Sequence, residues 1–173
     1  MSDFWVFGYG SLMWRPGFVH RGAERALLYG YRRALCVRSF VHRGTEERPG
    51  LVLGLDRGGS CVGMAFRVDP ENSDAVTQYL RERELVTHVY HERMLQIRLE
   101  NGERVKALGY IVDQRHIQYS GPLGVEEAAR QVVGAIGKSG ANEDYVANTV
   151  EHLRELNIRD HWLESVASRV GSR

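Results

Sequence analysis

Cysteine is nearly missing from this sequence: two among 173 residues, Cys36 and Cys61, far apart and without C-x-x-C spacing. That excludes a disulfide scaffold and a cysteine-paired zinc site, and both thiols are expected to be reduced core residues. Long apolar runs are missing as well. None approaches the roughly 20 residues that a membrane-crossing helix needs. Met1-Ser2-Asp3 lacks the basic opening of a secretion signal, so the expected setting is the cytoplasm. Nor is there an excess of one charge. The 23 Lys and Arg are scattered among 22 Asp and Glu, which gives no reason to expect nucleic acid or a membrane surface as a partner. With no low-complexity tract and no internal repeat, 173 residues are expected to form one globular domain, 1–173.

Several site motifs are missing too. The seven histidines contain no H-E-x-x-H, and His88 and His91 fall on opposite faces of an expected strand, so no metal is expected. Ser11 has no G-x-S-x-G frame, which leaves a serine-hydrolase elbow unsupported. Gly8-x-Gly10 has neither a third glycine nor a G-K-[ST] ending, and Arg15-Pro16-Gly17 follows where a phosphate-binding helix would begin.

What is present reads first as strands: Phe4 to Tyr9, about Leu27 to Phe40, Gly50 to Leu55 and Cys61 to Val68, the last two joined by a turn at "DRGGS", Asp56 to Ser60. Asp69-Pro70 offers an N-cap and a first-turn proline for a helix running to about Glu84. Val86 to Leu99 and Glu103 to Val112 follow as a hairpin around Asn101-Gly102. The period then becomes helical. Val125, Ala128, Ala129, Val132, Val133 and Ile136 share a face, as do Tyr145, Val146, Thr149, Val150, Leu153 and Leu156. "GKSGAN", Gly137 to Asn142, separates the two, and Trp162, Leu163 and Val166 suggest a last short helix. This order fits an α+β domain, a mostly antiparallel barrel-like sheet with surrounding helices.

Two stretches carry candidate chemistry. In "VFGYGSLMW", Val6 to Trp14, glycines can take backbone angles closed to other residues and let a ligand approach the main chain, whose N–H groups could cradle an anion. On spacing alone, a plain glycine turn fits equally well. "YLRERELVTHVY", Tyr79 to Tyr90, puts Glu82 and Glu84 at a helix C-terminus, whose partial negative charge raises a carboxyl pKa toward the range of a general acid or base. Against that, Arg81 and Arg83 alternate with them, as on an ordinary solvated helix end.

These two stretches, with "HRGTEERPGLVLGLD" (His42 to Asp56) and "SGP" followed by "GKSGANEDYV", resemble in order and content the ChaC family of γ-glutamylcyclotransferases, over about Phe4 to Asn148. The resemblance implies the γ-glutamylcyclotransferase fold and an enzyme that splits glutathione into 5-oxoproline and cysteinylglycine without a cofactor. It assigns the γ-glutamyl-binding loop to Tyr9, Gly10, Ser11 and Leu12, and the catalytic glutamate of the family's Y-L-x-x-R-E pattern to Glu84, not Glu82. Tyr145 is similar to a family tyrosine after "GxxGxN" and is a candidate substrate contact, although its apolar helical face fits a core role equally well. Arg38 and Arg43 are candidates because a guanidinium fork matches a carboxylate, with a surface role at least as fitting. Leu85-Val86-Thr87-His88 departs from the Lys-Gly-Gly-Tyr of the animal branch and is closer to the bacterial pattern. Other γ-glutamyl amides as substrates, or a non-catalytic anion-binding regulator linked to cation transport, are the alternatives.

Overall fold

The computed structural model describes residues 2–172. They form two compact units, one of residues 2–33 and 55–113, the other of residues 34–54 and 114–172.

The barrel strands are β1 (Phe4–Gly8), β2 (Gly22–Ser39), β3 (Gly50–Val68), β4 (Tyr90–Leu99) and β5 (Arg104–Val112), in the order β1-β3-β2-β4-β5; the end of β2 and the start of β3 belong to the second unit. A parallel pairing of β1 with β5, Trp5 to Ala107 and Val6 to Leu108, closes the barrel, and the pairings of β1 with β3, β2 with β4 and β4 with β5 are antiparallel. Between β1 and β2 lies the single-turn helix α1 (Ser11–Trp14), and a 3₁₀ turn at Pro70–Asn72 leads into α2 (Ser73–Glu84).

Both faces of β1 are apolar because each meets a core. Phe7 packs with Leu28, Leu55, Ala65, Ile97, Ala107 and Ile111, while Val6 packs with Phe66, Leu108 and the α2 residues Val76 and Leu80. A two-residue alternation between two apolar sides is the pattern of a strand covered on both faces. The architecture is therefore the expected α+β barrel with helices.

The second unit contains α3 (Val125–Val132), the short ribbon β6 (Ile136–Gly137) and β7 (Gly140–Ala141), α4 (Asn142–Glu155) and α5 (His161–Gly171). Ala128, Ala129, Val132, Val146, Val150, Leu153, Leu163 and Val166 are its buried stripe. Asn142 is fully buried and mimics a strand neighbour: its Nδ2 donates to the Leu51 carbonyl and its Oδ1 accepts from the Leu51 N–H, both at 2.8 Å.

Several local expectations are corrected. "DRGGS" is not a turn but part of one strand running from Gly50 to Val68. Gly58 and Gly59 take positive φ there, +100° and +69°, while Arg32 on β2 reaches across to the Asp56 carboxylate at 3.1 Å and to the Arg57 carbonyl. Two glycines signal a turn in sequence, but a cross-strand arginine holds this irregularity inside the strand. β2 begins at Gly22, about five residues earlier than expected. Asp69 makes no side-chain cap; its carboxylate instead accepts from Arg21 at 3.0 Å. β4 starts at Tyr90, not Val86, because the chain turns after α2 with His88 at φ 58°, so His88 is not on a strand face. Ile136 leaves the α3 face for the β6–β7 ribbon and is exposed.

Candidate active site

The stretch that ends β1 turns directly into α1. Tyr9 and Gly10 follow the strand, and the Met13 and Arg15 N–H groups bond back to the Gly10 and Ser11 carbonyls at 2.9 and 2.8 Å. The first N–H groups of any helix lack an intrahelical acceptor, so the backbone from Ser11 onward presents donors. The expected left-handed glycines are not found here: neither Gly8 nor Gly10 has positive φ. Close packing is what requires Gly8, because a Cβ there would stand 3.0 Å from the Leu12 Cβ. Leu12 is buried beside Val6 and Leu80, whereas the Ser11 side chain points outward.

Glu84 is the last residue of α2 and Glu82 lies one turn face away. The structure separates them. Glu82 is exposed and accepts from Gln78 at 3.1 Å, whereas the Glu84 side chain is only 17% exposed. Burial pushes the Glu84 carboxyl pKa upward, and the Arg83 guanidinium, with Nε 3.7 Å from Oε1, partly opposes this. The same Arg83 reaches α1, where its Nη2 donates to the Ser11 Oγ at the helix start at 2.9 Å and its Nη1 to the Arg15 carbonyl just past the helix end at 2.7 Å.

Beside this helix end, Tyr110 of β5 is buried and donates to the Glu92 carboxylate at 3.3 Å, which also accepts from Arg81 Nε at 2.9 Å. Burial and the carboxylates of Glu92 and Glu84 raise the phenol's pKa, so Tyr110 stays protonated. Behind the loop, Arg33 is 5% exposed, with Nε donating to the Tyr9 carbonyl and Nη2 to the Val62 carbonyl, both at 2.7 Å.

In the second unit, Arg43 donates to the Ala141 carbonyl at 3.1 Å and lies over the Tyr145 ring, 5.5 Å from its centroid. The Tyr145 hydroxyl accepts the Leu53 N–H at 3.0 Å. Arg38 pairs through its backbone with Gln118, while its half-buried guanidinium has no partner among the described residues.

The ChaC family model, described as ChaC-like protein, matches residues 4–173. This chain belongs to the ChaC family. An Escherichia coli K12 relative named glutathione-specific gamma-glutamylcyclotransferase is 33% identical over 162 residues, covering 94% of this chain and 70% of the relative. The human glutathione-specific gamma-glutamylcyclotransferase 1 is 30% identical over 174 residues, covering 97% of this chain and 78% of the human one. The crystal structure of a yeast gamma-glutamyl cyclotransferase specific to glutathione superposes with a TM-score of 0.85, covering 99% of this chain and 97% of that one at 22% identity, which shows a shared fold.

Within this ChaC chain the structure brings Ser11 and Glu84 to one guanidinium, that of Arg83. Sequence reasoning had treated Arg83 as a surface charge in a Glu/Arg run. Its signal was its position four residues after Tyr79, whose hydroxyl also accepts from it at 3.2 Å. Arg33 was missed although it stands on β2 two residues before the buried run Leu35-Cys36-Val37. The partners of Glu92 and Tyr110 follow from β4–β5 register, Glu92 opposite Tyr110, which only the hairpin supplies.

Proposed function

We propose that this chain is a γ-glutamylcyclotransferase that cleaves glutathione to 5-oxoproline and cysteinylglycine. The observation that carries the reading is Glu84: a carboxyl held at the end of α2, largely out of water, with its pKa raised, and joined through Arg83 to the loop after β1.

The chemistry asks little else of the protein. The γ-glutamyl group carries its own nucleophile, since its α-amine can attack the γ-carbonyl and close a five-membered lactam ring. The enzyme's tasks are to hold that folded conformer and to move two protons. Ionised Glu84 takes a proton from the α-ammonium group, and the amine nitrogen bonds to the γ-carbon. Glu84 returns that proton to the cysteinyl nitrogen as the C–N bond to cysteine breaks, then carries the remaining extra proton of the ring nitrogen to the released amine, which departs as ammonium, so the carboxyl ends as it began. Raising its pKa toward neutrality suits both halves of that exchange. The backbone N–H groups of the Tyr9–Leu12 loop hold the γ-glutamyl end and stabilise the oxyanion of the tetrahedral intermediate.

Of the remaining candidates, the Arg38 guanidinium, without a partner among the described residues, is the better match for a substrate carboxylate, because Arg43 and Tyr145 already hold one another and the backbone of Ala141 and Leu53. The buried, unbridged thiols of Cys36 and Cys61 suit a reducing compartment, and the cytoplasm is the proposed setting. Incubating the purified protein with reduced glutathione, oxidised glutathione and γ-glutamylalanine, and measuring 5-oxoproline, tests the reading. Release from reduced glutathione is expected; release from γ-glutamylalanine alone would replace glutathione with other γ-glutamyl amides.

A further inference from the structure

Arg83 meets more of the first unit's proposed catalytic elements than any other side chain described above. Its Nη2 donates to the Ser11 Oγ at 2.9 Å, and its Nη1 donates to the carbonyls of Arg15 and Pro16, at 2.7 and 3.2 Å, and to the Tyr79 hydroxyl at 3.2 Å. Its Nε lies 3.7 Å from Glu84 Oε1. Five groups from α2 and from both ends of α1 thus converge on one planar fork, which a lysine ammonium on a flexible stem cannot reproduce. The ground beneath the fork is built for it as well. Gly17, at φ +74°, lies under the Tyr79 hydroxyl, where a Cβ would collide with that oxygen.

We infer that Arg83 is the positioning residue of the cyclisation, fixing α1, and with it the loop that leads into α1, against the end of α2 so that the γ-glutamyl group and the Glu84 carboxyl are held in one geometry. The inference rests on the assignment of Glu84 and the loop given above. The fork acts on position through Ser11, Arg15 and Pro16, and on charge through Glu84. The two effects separate by substitution. The ionisable groups that face Glu84 are Arg83 on its own helix and Tyr110 on β5. The Tyr110 phenol stays protonated, and the neighbouring Glu92 is paired with Arg81. Arg83 is therefore the cation that opposes the effect of burial on Glu84.

The test is steady-state 5-oxoproline release from glutathione across pH for wild type, R83K, R83M, S11A and R83M/S11A, with a thermal melt of each. R83K keeps a cation beside Glu84 and loses the fork: kcat falls about tenfold or more while the acidic limb of kcat/KM stays in place. R83M loses both, and its acidic limb also moves to higher pH, because Glu84 ionises less readily without the guanidinium. S11A costs less in the R83M background than in wild type, as expected of two partners in one contact. If R83M does not fold, R83K and S11A still decide. An R83K enzyme with wild-type kcat, or a folded R83M whose acidic limb does not move, overturns the inference. Wild type without activity on any γ-glutamyl amide overturns the proposed function and this inference together, whereas active wild type with unaffected Arg83 variants overturns this inference alone.

Discussion

A carboxyl kept out of water stores free energy that depends on its proton. Burial raises the Glu84 pKa in the fold above its value in the unfolded chain, so the folded state binds the proton more tightly. The stabilisation from that proton is complete below the unfolded value and is lost as pH rises through the folded one. At neutral pH, then, an ionised Glu84 costs stability, as expected of a carboxyl placed for the proposed proton transfer. Glu84→Gln should melt at a higher temperature than wild type near neutrality, with the gap closing as the buffer is made acidic. Thermal melts over that range check the sign. The acidic limb of kcat/KM should likewise lie above the ordinary carboxylate range, since the proposed mechanism requires Glu84 ionised. Arg33 presents the opposite case, a charge buried for structure. Arg33→Met leaves the Tyr9 and Val62 carbonyls without their donor and should cost about 2 kcal/mol or more in urea unfolding, each unsatisfied group being worth roughly 1–3 kcal/mol.

Elements place these residues, and their packing gives separate tests. Asn142 opens α4 and closes two hydrogen bonds with Leu51 on β3. Asn142→Ala should lower unfolding free energy by about 2–4 kcal/mol, the cost of stranding a buried N–H and C=O together. Gly63 on β3 faces the Gly8 carbonyl and the Phe7 ring so closely that a Cβ has no room. Gly63→Ala should therefore destabilise by about 1–3 kcal/mol, as overpacking of a filled core does, and should disturb the loop that follows Gly8. The parts legible in sequence were those with a local cause: the Asn101-Gly102 hairpin, with Gly102 at φ +88°, the end of α2 at Glu84, and the apolar stripes of α3 and α4. Illegible were features set by a partner distant in the chain. The strand through "DRGGS" depends on Arg32, Asp69 is taken from its cap by Arg21, and the roles of Arg33 and Arg83 appear only when β2 and α2 meet the loop after β1. The split between Glu82 and Glu84 was seen through the family resemblance, and helix periodicity alone would have left both open.

For the molecule as a whole, the scarcity of cysteine becomes a convenient probe. Each compact unit holds one buried thiol, Cys61 in the first and Cys36 in the second, 3% and 1% exposed. Both should react slowly with a thiol reagent in native buffer and rapidly in denaturant, so that labelling followed by peptide mass analysis reports the opening of each unit. Among the described residues no helix is long and apolar enough to cross a membrane. The central claim, however, is chemical: a ChaC-family barrel whose Glu84 moves the proton for ring closure. The most direct measurement is 5-oxoproline release from reduced glutathione by wild type, Glu84→Gln and Glu82→Gln, each first shown to be folded by its thermal melt. The account predicts turnover by wild type and by Glu84's exposed neighbour variant Glu82→Gln, and a loss of about a hundredfold or more in Glu84→Gln. Turnover by folded Glu84→Gln at the wild-type rate would contradict it.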